Sequence, residues 1–423
     1  MRQPREKGAA PRPPRPQKFP RASGFRERKP LAQNFPQKDP APNSARSTQA
    51  PLRAGPGVFI VQTQPGFESI AWRELSAAIP RATRLGTRTV PERAGMLVFE
   101  APKPAPLAAL RCAEDLFAIV AYRHGLGDDK TALDKVRAAI RGCTHLDEAL
   151  NARVAVVKGA RAGKKLRFKV VARLSGEHEF RRVDFKHAVE TGVLEHGDHL
   201  WRLDEDNAEV EFWATMLRDE LIFTLRLSDD SMRFRDYKIA HRPGSLRPSV
   251  AAALALLSNP APDDVFLDPL CGTATVLIER AHLGRYMMLL GGDSDSDTLE
   301  AARENIGPRF KPIEIKQWDA TALALENASV DKIVSNLPWG MKHGSHGDNR
   351  RLYPKLIAEF RRVLKPGGTM VLLSAEMRLM SELWSRIHLR PSQILRVTVL
   401  GAPAAIYVCK NPARQLSAAP SRP

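Results

Sequence analysis

Cysteine pairing is what this sequence most plainly lacks. Its four cysteines, Cys112, Cys143, Cys271 and Cys409, lie far apart, and none stands in C-x-x-C spacing. That argues against a cysteine zinc site and a disulfide framework, and it fits a reducing compartment. Long apolar runs are missing as well. None reaches the ~18 residues that a membrane span requires, so the chain is expected to be soluble and cytoplasmic, with no membrane role. Acidic residues are scarce at one end only. Residues 1–57 hold 13 Lys and Arg against 3 Asp and Glu, whereas the remaining 366 hold 52 against 44. Over half of the formal charge of +18 therefore sits on a tail, and the total points to a polyanionic partner.

That tail, residues 1–56, is rich in Pro, Arg, Lys and Ala and has no apolar periodicity. Such a stretch cannot bury enough surface to offset its ordering entropy, so it reads as disordered. A non-specific nucleic-acid arm acting through counterion release fits it, and so does a solubilising extension. Its proline density and lack of an amphipathic helix argue against an organelle transit peptide. The rest of the chain is too long for one core and implies two or three domains.

Order is expected from Val58-Phe59-Ile60-Val61, a strand. Phe67, Ile70, Ala71 and Leu75 then recur at helical spacing. Strands are predicted near 87–90 and 96–100, and a helix over 106–121 with its proline where a first turn tolerates it. This β-α-β-β-α order predicts a ferredoxin-like α+β unit over residues 57–128. A second unit, 129–228, has a helix over 132–141 and an alternating strand at 166–173. Leu166, Phe168, Val170 and Ala172 share one face of that strand; Arg167, Lys169 and Arg173 share the other. A basic helix over 180–193 follows, then strands at 208–213 and 221–227 with a hairpin near Arg218-Asp219. Gly66-Phe67-Glu68 with Glu74-Leu75, the Phe168-Lys169-Val170 strand, and Gly176-Glu177-His178 before the basic helix come in a telling order. Together they resemble the paired ferredoxin-like and THUMP domains of RNA-modifying enzymes. The resemblance implies a grip on the single-stranded 3′ end of tRNA, with Arg173, Arg181, Arg182 and Lys186 at the matching basic positions. A solvated helix face is the competing reading of these four.

Residues 229–262 read as a linker and a lead-in helix. Val265-Phe266-Leu267 is a continuous apolar strand, followed by the tight turn Asp268-Pro269-Leu270-Cys271-Gly272-Thr273-Ala274-Thr275 and a helix over 276–283. Strand, tight turn and helix are how an α/β sheet builds a cofactor crevice. Gly272 allows close backbone approach, and the helix N-terminus offers N–H donors. The turn lacks the G-x-G-x-x-G spacing of nicotinamide sites. A strand at 286–290 ends in Gly291-Gly292-Asp293, whose carboxylate can accept from both ribose hydroxyls. Asp297-Thr298-Leu299-Glu300 reads as a capping box opening a helix to Asn305. Asp293, Asp295, Asp297 and Glu304 imitate part of a calcium loop, but Thr298 stands where such a loop needs glycine. A strand at 313–315 precedes Asp319. Lys365-Pro366-Gly367-Gly368 joins a helix to a strand at 369–373, and an antiparallel hairpin, 394–400 with 404–409, completes a seven-stranded sheet. Residues 412–423 read as a frayed end.

The Asp-Pro-x-Cys-Gly-Thr-x-Thr turn resembles the first motif of class I S-adenosylmethionine-dependent methyltransferases, in the form used by RNA methyltransferases carrying THUMP domains. This implies an α/β chain: a C-terminal Rossmann-like domain over 263–411, with a seven-stranded sheet, preceded by α+β ferredoxin-like and THUMP domains. It also implies S-adenosylmethionine as cofactor, held by Asp268, Pro269, Cys271, Gly272, Thr273, Asp293 and Asn336, with Asp319 near the adenine amine.

One stretch organises the rest. The strand at 331–334 stops at Ser335-Asn336-Leu337-Pro338-Trp339-Gly340. Asn336 offers a side-chain oxygen and Leu337 a backbone carbonyl, two acceptors that can hold both hydrogens of an exocyclic amine. Trp339 offers a stacking face worth on the order of 1–3 kcal/mol. Pro338 fixes the backbone and has no N–H to compete. Asn-Leu-Pro-Trp is similar to the Asn/Asp-Pro-Pro-Tyr motif of amino-methyltransferases. Its Leu-Pro-aromatic-Gly form beside a THUMP module most resembles tRNA guanine-N2 methyltransferases of the acceptor stem, which implies Asn336, Leu337, Pro338 and Trp339 as the catalytic set. Two other readings stay open: an amino-methyltransferase acting on rRNA or DNA, and a non-catalytic RNA-binding protein with a retained fold. His343 and His346 lack a third ligand, so no metal is expected. A protein partner is left open.

Overall fold

The computed structural model describes residues 52–197, 199–340 and 345–412. The tail up to residue 51, His343 and the stretch from 413 onward, on which three of the expectations above fall, lie outside the described residues. Among the described residues no helix is long and apolar enough to cross a membrane.

The N-terminal half begins with strand β1 (Val58–Thr63), helix α1 (Glu68–Ala78), and strands β2 (Thr83–Val90), β3 (Ala94–Glu100) and β4 (Asp115–Arg123). Helices α2 (Thr131–Arg141) and α3 (Leu146–Val156), strand β5 (Lys165–Ser175) and helix α4 (Arg182–Leu194) follow. Strands β6 (Leu200–Leu203), β7 (Val210–Leu217) and β8 (Glu220–Arg226) complete it. All eight strands form one sheet, in the order β2-β3-β1-β4-β8-β7-β5-β6. The expected boundary at residue 128 therefore does not interrupt the sheet, because β4 pairs antiparallel with β8 across it.

The helix expected over 106–121 is absent. A short 3₁₀ turn (Ala105–Ala109) precedes β4 instead. The reason is burial on both faces. Leu116, Ala118 and Val120 pack into the helix-covered core, while Phe117 and Ile119 pack on the opposite side. A strand at the centre of a sheet, buried on both faces, shows no alternation and can read as helix.

The C-terminal half opens with helix α5 (Pro248–Leu257), buried along its whole length. Then come β9 (Val265–Asp268), α6 (Thr275–His282), β10 (Met288–Asp293), α7 (Ser296–Ile306), β11 (Ile313–Gln317) and β12 (Val330–Asn336). Helix α8 (His346–Val363), β13 (Leu364–Ser374), α9 (Met377–Arg386), β14 (Gln393–Val399) and β15 (Ala402–Lys410) follow. The sheet order is β11-β10-β9-β12-β13-β15-β14, parallel except for β15, which runs antiparallel to both its neighbours. The order reverses between β9 and β12, so the crevice at the carboxyl ends of β9, β10 and β12 lies at a topological switch point.

The halves are joined by buried charge. Glu279 of α6, fully buried, accepts from Arg111 Nε at 2.5 Å and from the Tyr237 hydroxyl at 2.7 Å. Glu114 accepts from Gln64 Nε2 at 2.9 Å, Arg247 Nη1 at 3.0 Å and Ser249 Oγ at 3.2 Å. At the far side, Thr398 N–H of β14 donates to the Pro65 carbonyl at 2.9 Å. Gly66, with φ +91°, lies so close to β14 that a Cβ there would sit 2.5 Å from the Arg396 carbonyl oxygen.

Candidate active site

Asp268 ends β9 and is 1% exposed. Its Oδ1 accepts from Ser335 Oγ on neighbouring β12 at 2.8 Å and from the Leu270 N–H at 3.3 Å. Burial nevertheless wins over these two donors and pushes the carboxyl up to about 7, with the nearby Asp293 charge adding to the rise. Cys271 is buried, and burial raises its thiol well above the ordinary range, so it is no nucleophile. Its backbone N–H is pinned to the Gly292 carbonyl at 2.8 Å.

The next residue, Gly272, has φ +52° and nothing within 4 Å of where a Cβ would be. Its N–H donates to Asp293 Oδ2 at 3.1 Å, which joins the first turn to the end of β10. Asp293 Oδ1 accepts from the Asp295 N–H at 3.2 Å. Asp295, not Asp297, caps α7: its side chain accepts from the Thr298 N–H. A first turn beginning one pair of residues earlier than the capping-box pattern suggested is the correction here. Asp319 lies exposed beyond β11, where hydrogen bonds from the Thr321 backbone and hydroxyl hold its carboxyl below the usual range.

Trp318 was not singled out in the sequence. Its indole N–H donates to the Pro269 carbonyl at 3.0 Å, and its ring lies on Gly292, where a Cβ would be 2.2 Å from Cε2. It thereby ties together the ends of β9, β10 and β11. The signal was Gly-Gly before an acid: the second glycine is required by the ring that covers it.

Asn336 ends β12, and the Leu337 N–H continues the pairing onto the Leu373 carbonyl of β13 at 3.0 Å. The Pro338 carbonyl is held by two donors from α8, Tyr353 OH at 2.6 Å and Asn349 Nδ2 at 3.0 Å. Tyr353 also meets Ser374 Oγ at 2.9 Å. Gly340, with φ +70°, turns the chain beside Asn349. Trp339 makes a bond that the sequence did not suggest. Its indole N–H donates to Asn336 Oδ1 at 3.0 Å, so the two side chains are coupled. An amide oxygen has two lone pairs, and one stays available to an incoming amine. His346 Nδ1 pairs with Glu376 Oε2 at 2.6 Å, and Glu376 Oε1 accepts from Asn349 Nδ2 at 3.0 Å. His346 is thus part of the loop's support.

A loop before α5 closes over the first turn. Thr273 Oγ1 meets Ser245 Oγ at 3.3 Å, and the Thr273 carbonyl accepts from buried Asn305 at 3.1 Å. Lys238 Nζ contacts the Leu246 carbonyl and Thr275 Oγ1, and burial lowers its ammonium to about 8. The structure thus brings Asp268, Pro269, Cys271, Gly272, Thr273, Asp293, Asn336 and Leu337 to one set of strand ends, with Asp319 at the rim.

The four basic candidates do not converge. Arg173 lies on the sheet face opposite the helices, 4.0 Å over the Trp213 ring, with Nη1 on Gln62 Oε1 at 2.8 Å; burial lowers its guanidinium to about 10. Arg181 bonds Asp184, and Lys186 bonds Glu205 at 2.5 Å. Arg181 and Arg182 are exposed on α4 and its N-cap. Even strand parity separates Arg173 from them, since Ala172 and Val170, not Arg173, face α4.

Residues 235–401 match a family model described as the RMKL-like methyltransferase domain. The tRNA (guanine(6)-N(2))-methyltransferase THUMP3 of Mus musculus is 31% identical over 236 residues, 51% of this chain and 45% of that protein. A tRNA (guanine(6)-N2)-methyltransferase of Thermus thermophilus is 30% identical over 209 residues, 49% of this chain and 62% of that protein. The chain thus spans less than half the length of the mouse relative. The crystal structure of TrmN from Thermus thermophilus superposes with a TM-score of 0.66 at 24% identity, covering 84% of this chain and 99% of that one. The C-terminal half is a Rossmann-like class I methyltransferase fold.

Proposed function

We propose that this chain methylates the exocyclic N2 amine of a guanine in tRNA, in the acceptor stem, with S-adenosylmethionine as methyl donor. The observation that carries the reading is the placement of Asn336 and the Leu337 carbonyl at the end of β12. They stand beside a crevice built from Asp268, Gly272 and Asp293. The relatives named as tRNA guanine-N2 methyltransferases support the choice of base and of RNA.

The residues present fit the cofactor. Gly272 leaves open space where any side chain would intrude, and the α6 N-terminus lies beside it, a donor array suited to a carboxylate. Asp293 is placed to accept from ribose hydroxyls. Bound S-adenosylmethionine would supply an electrophilic methyl group, its C–S bond breaking as the N–C bond forms and the displaced amine proton leaving to water. The chain's own work is positioning. Asn336 Oδ1 and the Leu337 carbonyl take the two amine hydrogens and so aim the lone pair, an effect of orientation without a strong base. Trp339 stacks on the base and holds Asn336 through its N–H. Extruding a paired guanine costs a few kcal/mol, which the stacking face offsets. Residues 129–228 serve as the THUMP-like RNA-binding unit, with Arg181 and Arg182 exposed on its basic side and Lys186 half-buried between Glu190 and Glu205.

The test is methyl transfer to unmodified tRNA followed by nucleoside mass spectrometry, with Asn336→Ala in parallel. N2-methylguanosine is expected from the wild type. The Asn336→Ala variant should lose transfer while binding S-adenosylhomocysteine normally. Methylated adenine or cytosine would refute the choice of base, and full activity in the variant would refute the site.

A further inference from the structure

Lys238, in the segment that joins the two halves, is a largely buried cation that makes no ion pair among the described residues. Its Nζ donates to the Leu246 carbonyl and lies 3.3 Å from Thr275 Oγ1. An ammonium has three N–H donors, so these two contacts leave one over. The carboxylate whose charge reaches it, Glu279, is already bonded by Arg111 at 2.5 Å and by the Tyr237 hydroxyl at 2.7 Å, with Arg235 at 3.7 Å. The position is also of the wrong sign for a cation. Thr275 is the first residue of α6, and a helix N-terminus carries the positive end of its dipole. Burial lowers the ammonium to about 8. An anion bound beside it relieves both penalties.

The crevice turn leads to this spot. Gly272 has open space where a Cβ would be, and Thr275 follows three residues later. From the loop over the turn, Ser245 Oγ meets Thr273 Oγ1 at 3.3 Å, and Thr273 Oγ1 meets Thr275 Oγ1 at 3.4 Å. The hydroxyls thus form a row that ends at Lys238, and hydroxyl protons rotate to suit an acceptor. We propose that Lys238 binds the carboxylate of S-adenosylmethionine, with the Ser245 and Thr273 hydroxyls beside it, and so selects a ligand that carries the amino-acid end. Asp293 then marks the ribose end and Lys238 the carboxylate end, two opposite charges that fix the direction in which the cofactor lies. The inference rests on the reading of this crevice as the cofactor site.

The test compares two ligands on the full chain by calorimetry. S-adenosylhomocysteine carries the carboxylate; 5′-methylthioadenosine keeps the adenosine and the sulfur but lacks the amino-acid end. Lys238→Met should weaken S-adenosylhomocysteine about 10–100-fold, the range of a hydrogen bond to a charged group. The same variant should bind 5′-methylthioadenosine as the wild type does, which also shows that the crevice is folded. Lys238→Arg should recover part of the lost affinity. Unchanged S-adenosylhomocysteine binding in Lys238→Met overturns the assignment. Equal weakening of both ligands overturns it too, because Lys238 would then only hold the loop at Leu246. A wild-type chain that binds neither ligand rejects the cofactor reading, and the assignment with it.

Discussion

Asp268→Asn should make the free protein more stable at neutral pH, although Asp268 stands at the heart of the crevice. The carboxyl is held at about 7 by burial, against about 4 in an unfolded chain. Above pH 4 the unfolded chain releases this proton while the folded chain retains it, so stability falls as pH rises, until the folded carboxyl also ionises near 7. Carrying the group from about 4 to about 7 corresponds to roughly 3–5 kcal/mol lost across that window. Asparagine keeps an oxygen for the Ser335 hydroxyl and the Leu270 N–H and has no such proton to lose. The assay is chemical denaturation of both proteins at pH 4.5, 6, 7 and 8.5, without cofactor. The midpoints should lie close together at pH 4.5 and separate steadily in favour of the variant up to pH 8. Parallel pH profiles would falsify the account, because they would mean that Asp268 ionises freely in the folded chain. The same variant is expected to bind S-adenosylhomocysteine more weakly, so stability and binding should move in opposite directions.

Three further outcomes follow from contacts described above. Gly292→Ala forces a methyl into the Trp318 ring and should cost about 1–3 kcal/mol together with cofactor affinity; adding Trp318→Ala should recover part of both, and strict additivity in the double variant argues against the contact. Tyr353→Phe removes one of two donors to the Pro338 carbonyl. It should cost about 1 kcal/mol and lower the methyl-transfer kcat several-fold, with the S-adenosylhomocysteine Kd unchanged by calorimetry. Glu279→Gln leaves Arg111 without its buried counter-charge and should destabilise the chain by about 3–5 kcal/mol, read as an earlier denaturation midpoint at every pH from 6 to 8.

The C-terminal sheet was legible because its signals are local. Strands β9, β10 and β12 each carry a short apolar run and end in a residue with chemistry, at Asp268, Asp293 and Asn336. The N-terminal half was harder. Strand β4 is buried on both faces and shows no alternation, so it read as helix. Strand β6 is four residues long with Leu200 65% exposed, so it has no pattern to find. The side-chain couplings within the site were not legible either. The Trp339–Asn336 bond spans only three residues, but nothing in the spelling of the motif says that the indole turns toward the amide. The Trp318–Gly292 and Tyr353–Pro338 contacts join separate elements, and only the folded chain places them together.

Pro65 and Gly66 against β14 have a consequence for how this chain can be divided. A strand at the end of a sheet leaves a row of unsatisfied amides that serves as a template for pairing with another molecule. Here the corner of the N-terminal module occupies part of that row, through the Thr398 N–H and the backbone packed on Gly66. Cutting the chain between the halves therefore uncovers a sticky border. The severed methyltransferase half is expected to self-associate through β14 and to stay monodisperse only when the N-terminal module that carries Pro65 and Gly66 is kept attached.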